Sequence, residues 1–155
     1  MLVSIIMGST SDLPVMEKAM KFLNDMQVPF EVNALSAHRT PAEVEDFART
    51  AKSRGVEVII AGAGMAAALP GVIAANTTVP VIGVPIQTKA LGGMDSLLSI
   101  VQMPGGIPVA TMAINGSKNA ALLAVEIFAL TDEGLSEKLS RYRQEQTQKV
   151  LDTEI

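Results

Sequence analysis

The sequence predicts a three-layer α/β/α fold, a parallel β-sheet with helices on both faces. Three observations predict it. Short apolar runs ending at glycine or proline alternate with segments of helical period along most of the chain. From Val58 to Thr88 there is no charged residue, which suits strands buried on both faces of a parallel sheet. That run is long enough to cross a membrane, but Gly62, Gly64, Pro70, Gly71, Asn76, Pro80 and Pro85 interrupt it too often for a spanning helix. Finally, 155 residues fit one domain, residues 1–155, with enough chain to bury a core.

The elements follow in order. Leu2–Met7 is an apolar run ended by glycine, a buried strand. Residues 13–26 carry Val15, Met16, Ala19, Met20, Phe22 and Leu23 at helical spacing. Phe30–Leu35 is a second strand. Thr40-Pro41-Ala42-Glu43 is a helix start, with Thr40 as N-cap, Pro41 at the first helical position and Glu43 able to close a capping box. That helix runs to Arg54, with Val44, Phe47, Ala48 and Ala51 inward, and stops at Gly55. Val56–Ala61 is a third strand, and residues 66–75 form an alanine-rich helix stepped at Pro70-Gly71. Val79–Val84 is a fourth strand. Pro85–Met94 is a loop, and Asp95–Val101 a short helix capped by Asp95 or Ser96. Ile107–Met112 is a fifth strand, which Pro108 marks as an edge or a strand start. Helices over 118–130 and 132–151 complete the chain. The last is polar except for Leu135, Leu139, Tyr142 and Val150. The simplest topology for these units is flavodoxin-like, five strands in the order 2-1-3-4-5 with a C-terminal helical arm, residues 131–155. The arm either caps its own domain or packs on a neighbouring subunit.

In such sheets ligands bind at the carboxyl ends of the strands, where the strand order reverses. Three loops belong there: Gly8–Asp12, Ser36–Thr40 and Gly62–Met65. Their Gly, Ser and Ala residues let backbone N–H groups approach an anion. Ser9 and Ser11 add hydroxyls before a helix start, so a phosphate fits. The lack of a Gly-Lys-Ser/Thr ending excludes a Walker loop. An ordinary turn capped by Ser11 or Asp12 would give the same pattern. Asp12 would repel a nearby phosphate and suits hydroxyls, such as those of a ribose, or a cap.

His38 is the only histidine in the chain, and there is no cysteine. Histidine is the side chain whose unshifted pKa lies nearest neutrality, so His38 is the natural proton carrier. A lone loop histidine is often a bystander. His38, however, adjoins Arg39 just before a helix N-terminus, where N–H groups and the helix dipole favour anions. Arg39 suits two-pronged binding of phosphate or carboxylate. One histidine and scattered carboxylates make no metal site, so none is expected.

Composition limits the partners. The net charge is −4 and no Lys/Arg cluster exists outside the last helix, which argues against nucleic acid. Met1–Met7 has no basic region before its apolar residues and does not read as a signal peptide. A cytoplasmic protein with no membrane span is expected. The chain is 48% hydrophobic and 18% charged, with a mean hydropathy of +0.34. The excess apolar surface predicts a homo-oligomer. The segment Leu98–Ile107, rich in Gly, Met and Pro, is a candidate contact.

Four stretches together carry a resemblance: Gly8–Asp12 (GSTSD), Ser36–Pro41 (SAHRTP), Pro80–Pro85 (PVIGVP) and Asp95–Pro104 (DSLLSIVQMP). Over Val3 to about Leu130 the chain resembles the catalytic subunits of phosphoribosylaminoimidazole carboxylase. It resembles most the bacterial branch, the 5-(carboxyamino)imidazole ribonucleotide mutases of purine biosynthesis. The resemblance implies an isomerase without cofactor or metal, a homo-octamer with sites at subunit interfaces, and a last helix that reaches a neighbour. It implies that 5-(carboxyamino)imidazole ribonucleotide becomes 5-amino-4-imidazolecarboxylate ribonucleotide. The residue matching His38 would protonate the exocyclic nitrogen, carbon dioxide would leave and be attacked by the ring carbon, and the histidine would take the ring proton. The expected substrate-binding residues are Gly8, Ser9, Ser11, Asp12, Ser36, Ala37, Arg39, Ala63, Gly64 and Leu69. The loop that carries Ser9 and Asp12, with Arg39, would hold the ribose phosphate.

Two departures stand out. The family's Gly-Gly-Ala-Ala-His-Leu-Pro-Gly reads Gly64-Met65-Ala66-Ala67-Ala68-Leu69-Pro70-Gly71, so a second family histidine is Ala68. Ala113–Asn119 is also shorter than the family's usual segment. Mutase is the expected activity, and direct carboxylation of aminoimidazole ribonucleotide by carbon dioxide is the alternative. A non-catalytic nucleotide-binding module is a third. Its flavin form would need an aromatic residue in the candidate loops, and a response regulator would need a clustered acidic pocket; neither is present.

Overall fold

Alternation along the apolar strands sorts their side chains into two layers, and the helices cover both. The structure is a computed structural model that describes residues 1–153. Its strands are β1 (Val3–Met7), β2 (Phe30–Ala34), β3 (Val58–Ala63), β4 (Val81–Pro85) and β5 (Ala110–Thr111). All pair in parallel, in the order β2-β1-β3-β4-β5. The helices are α1 (Leu13–Met26), α2 (Pro41–Thr50), α3 (Leu69–Asn76), α4 (Met94–Val101), α5 (Ser117–Ala129) and α6 (Glu133–Leu151). This is the expected flavodoxin-like architecture. The last two residues of the expected arm, Glu154 and Ile155, lie outside the described residues.

Val3, Ile5 and Met7 of β1 point to one face, with Ile60 and Val84. There they meet Met16, Phe22 and Leu23 of α1 and Ala120, Ala121 and Ala124 of α5. The alanines bring α5 close to α1. Ile6, Ile59 and Ala61 point to the other face, against Val44 and Phe47 of α2, Ile73 of α3 and Ile100 of α4. Helix α6 starts at Asp132, whose carboxylate accepts from the Leu135 N–H at 2.9 Å. Its first half docks on its own chain. Leu135 and Leu139 are buried, Tyr142 meets Phe22 edge-on with ring centroids 5.2 Å apart, and Lys138 donates to the Met26 carbonyl. Its second half is exposed.

Several boundaries differ from expectation. β3 and β4 each begin two residues late, and β3 runs on through Gly62 and Ala63. Gly62 stays in the ladder opposite Met7 instead of ending the strand. β5 keeps only two residues of the expected Ile107–Met112, since Pro108 lacks an N–H and no strand lies beyond it. Helix α2 ends at Thr50, and the tighter bonds Ala51 N–H to Ala48 and Gly55 N–H to Lys52 close the chain down to Gly55, whose φ is +83°. α3 begins at Leu69 rather than 66, because Met65 takes a φ of +58° and the chain turns through Ala67 and Ala68.

The caps differ too. Thr40 makes no side-chain bond into α2. Its hydroxyl turns back, accepting from the Ser36 N–H at 2.9 Å and donating to the Ser36 carbonyl at 3.0 Å. Thr40 thus closes the loop before the helix. α4 is preceded by Gly93 with φ +95° and has no side-chain cap. Asp95 and Ser96 bond elsewhere: Ser96 donates to the carbonyls of Ile86 and Gly93.

Candidate active site at the carboxyl ends of the strands

Register brings the loops together. Met7 lies opposite both Ala34 and Gly62, and Ala63 lies opposite Pro85, so β1, β2, β3 and β4 end at nearly one level. The loop after β1 is tied to β3 by the Gly8 N–H to the Gly62 carbonyl at 3.2 Å. A single 3₁₀ turn, Thr10–Asp12, then leads into α1. Ser9 caps that turn, its hydroxyl accepting from the Ser11 N–H at 3.3 Å and from the Ser11 hydroxyl at 3.0 Å. Asp12 does not cap α1; its carboxylate takes the Ser11 hydroxyl at 3.5 Å. Asp12 is buried, and burial pushes its carboxyl above the usual carboxylate range. The Ser11 hydroxyl and the Ser9 backbone N–H oppose that push without cancelling it.

The loop after β2 folds over β1. The Thr40 N–H bonds the Ser36 carbonyl at 2.8 Å, making one tight turn through Ala37, His38 and Arg39. Arg39 bridges the first two loops. Its Nε and backbone N–H both donate to the Ser36 hydroxyl at 3.3 Å, and a terminal guanidinium nitrogen donates to the Gly8 carbonyl at 3.4 Å. Two donors therefore fix the guanidinium in place, and those that remain can meet an anion beside Ser9 and Ser11. His38 is exposed and makes no side-chain hydrogen bond among the described residues, so its ring is free for a ligand.

The third wall is apolar. Ala63, Gly64 and Leu69 line it, joined by Met65, Ala66, Ala67 and Ala68. A fourth loop completes the cleft. Ile86, Gln87, Thr88, Lys89 and Ala90, with Asp95 of α4, form the side beyond β4. The volume of this open cleft is about 830 Å³. Every residue expected at the site lines this one cavity: Gly8, Ser9, Ser11, Asp12, Ser36, Ala37, His38, Arg39, Ala63, Gly64 and Leu69. The fourth loop was not expected. Its signal was available, because it follows a strand of the same sheet and must lie on the same edge. Among the described residues no group of three His, Cys, Asp or Glu side chains is placed to hold a metal ion. A shallower concavity between β2 and α2 is lined by Glu31, Asn33, Asp46 and Arg54, but Glu31 and Arg54 pair with each other and no histidine reaches it.

A doubly wound α/β sheet whose switch-point cleft joins an arginine, serine hydroxyls and an unengaged histidine defines a class: α/β proteins with a small-molecule cleft whose side chains suit an anion and a mobile proton. Comparison with known proteins narrows it. The sequence profile described as AIR carboxylase matches residues 2–149, and the chain belongs to that family. It is 63% identical over 143 residues to the N5-carboxyaminoimidazole ribonucleotide mutase of Pyrococcus abyssi, covering 92% of this chain and 82% of that one. Identity to the Bacillus subtilis mutase of the same name is 57% over 154 residues, covering 98% and 95%. The Saccharomyces cerevisiae phosphoribosylaminoimidazole carboxylase is 55% identical over 150 residues, 97% of this chain but only 26% of that protein. Among solved structures, Treponema denticola PurE superposes with a TM-score of 0.87 at 29% identity, covering 97% and 94%.

Proposed function

We propose that this protein is an isomerase that converts 5-(carboxyamino)imidazole ribonucleotide to 5-amino-4-imidazolecarboxylate ribonucleotide, a step of purine biosynthesis. The observation that carries this is the meeting of the only histidine with the serine and arginine loops in one cleft, in a chain of the AIR carboxylase family that matches 82% and 95% of the lengths of the two mutase relatives.

The chemistry divides among the chain's own groups. The hydroxyls of Ser9 and Ser11 and the guanidinium of Arg39 hold the ribose phosphate. Asp12 stands behind Ser11 and accepts a ribose hydroxyl. The imidazolium of His38 gives its proton to the exocyclic nitrogen, the N–C bond of the carbamate breaks, and carbon dioxide is released beside the aminoimidazole. The apolar wall Ala63–Leu69 offers carbon dioxide no hydrogen-bonding side chain and keeps it next to the ring. The ring carbon attacks it, forming a C–C bond, and neutral His38 removes the proton from that carbon. The histidine ends as it began, so one residue serves both steps. Ala68 leaves that role unshared.

His38 and Arg39 are exposed in the single chain, and trapping a gas molecule requires that water be kept out. A homo-oligomer, octameric by resemblance, would close the cleft with a neighbouring subunit and bring α6 against it. We place this enzyme in the cytoplasm; no described helix is long and apolar enough to cross a membrane.

The test is a pair of assays on the purified protein. One supplies the carbamate ribonucleotide, the other aminoimidazole ribonucleotide with bicarbonate. Faster turnover of the carbamate is expected, and a preference for the second would establish a direct carboxylase instead. His38→Asn should fold, bind nucleotide and lose about 10²- to 10⁴-fold in kcat, the usual worth of a positioned general acid–base. Turnover near wild type would remove His38 from the mechanism.

A further inference from the structure

We propose that Lys89 binds the carboxyl group of the substrate, the group that the reaction moves, leaving Arg39 for the phosphate. The inference rests on the ribonucleotide reading of the cleft. Such a substrate is anionic at two ends, one the phosphate and the other the carboxyl group on the imidazole. The cleft offers basic side chains at His38, Arg39 and Lys89. His38 is committed to the proton. Arg39 is fixed to Gly8 and Ser36 beside the serine hydroxyls, where a phosphate finds several donors.

Lys89 stands on the loop after β4, whereas Arg39 stands on the loop after β2. Two strands, β1 and β3, lie between. Three strand spacings separate the loop backbones by roughly 14 Å, and the Arg39 guanidinium is held at Gly8 after β1, so the two cations enter the cleft from opposite sides. The wall between them, Ala63 to Leu69, has no polar side chain to compete.

The loop that carries Lys89 is braced on both sides while its ammonium is left free. Asn115, in the left-handed region at φ +59°, accepts the Gln87 N–H at 2.9 Å and donates to the Gln87 side-chain oxygen at 3.2 Å. The Thr88 hydroxyl donates to Asp95 at 2.9 Å and accepts the Gly93 N–H at 3.3 Å. Thr88 thereby engages one oxygen of Asp95, the carboxylate that lines this side of the cleft. Lys89 itself makes no hydrogen bond or ion pair among the described residues. A fixed backbone with a free ammonium suits a compact, rotatable point charge for a carboxylate. The short Ala113–Asn119 segment gains a role as well, since Asn115 is a positioning residue for this loop.

The experiment measures binding to wild type, Lys89→Ala and Lys89→Arg by calorimetry. Its two probes are 5-amino-4-imidazolecarboxylate ribonucleotide and aminoimidazole ribonucleotide, which differ only in the carboxyl group. Lys89→Ala should weaken the carboxylated nucleotide about tenfold, as expected for a charge-assisted hydrogen bond, and leave the other nearly unchanged. Lys89→Arg should restore most of the loss. Equal weakening of both nucleotides would move Lys89 to the phosphate or base and overturn the proposal, as would no weakening of either. A wild-type protein that binds neither nucleotide would overturn the ribonucleotide reading itself.

Discussion

At the scale of single residues, the cleft depends on groups held in place by neighbours rather than by their own charge. Asp12 is the clearest case, because its carboxyl is raised chiefly by burial. The linkage sign follows. A group whose folded pKa lies above its unfolded value stabilises the fold below the unfolded pKa, here 3.8, and loses that contribution as pH rises through the folded value. Asp12→Asn has no such titration. Relative to the variant, wild type should therefore gain stability on acidification from neutrality toward the ordinary carboxylate range. Urea midpoints of both proteins across that range check it, and a gap that stays constant or moves the other way would contradict the burial argument. The same carboxylate that costs stability at neutral pH is the one we propose accepts a ribose hydroxyl, so nucleotide binding should weaken in the Asn variant even as the fold becomes firmer. Stability given up for a buried ionisable group beside a ligand is a common mark of a functional position.

At the scale of elements, two strand glycines make contrasting demands. A Cβ at Gly83 of β4 would lie 2.5 Å from a methyl of Ile100 and 2.9 Å from one of Val109, both branched side chains held in the core or against it. A Cβ at Gly62 of β3 would lie 2.6 Å from the Met16 sulfur, on a flexible side chain that can swing aside. Gly83→Ala should therefore cost about 1–3 kcal/mol, the usual range for overpacking, and Gly62→Ala clearly less. Thermal or urea unfolding of the two variants would show the order, and a reversed order would mean that α4 yields more readily than α1. These contacts also explain what could be read in advance. Three of the four site loops were legible, because Gly8–Asp12, Ser36–Arg39 and Ala63–Gly64 follow strands whose place is set by hydrophobic pattern alone. The loop bearing Lys89 could be placed on the same edge, since it follows β4, but its shape could not be read, because it depends on Asn115, 28 residues beyond Gln87. Nor could the inward turn of Thr40, whose local pattern fits a helix cap equally well. The end of β3 moved past Gly62, where the ladder with Met7 continues and the Met16 side chain lies over the glycine.

At the scale of the whole molecule, the apolar composition has a place on the surface. Met94, Leu98 and Val101 lie on one face of α4, at spacings of four and three residues, and are 52%, 52% and 45% exposed. Leu91, just before the helix, and Met65, on the rim of the cleft, are exposed at 64% and 70%. This face adjoins the candidate cleft, since Asp95 of the same helix and Met65 line it. A second subunit seated there would bury the patch and shield His38 in one step. Each such side chain is worth about 1.5–3 kcal/mol when fully buried, so charges at two of them should outweigh the assembly energy of that contact. The expected outcome is that Leu98→Asp/Val101→Asp folds, lowers the mass measured by light scattering and lowers turnover in parallel, because an unshielded cleft loses carbon dioxide to solvent. Wild type measured as a monomer at micromolar concentration would refute the assembly. A dissociated variant with undiminished turnover would keep the assembly but show that the cleft of a single chain is dry enough to work alone.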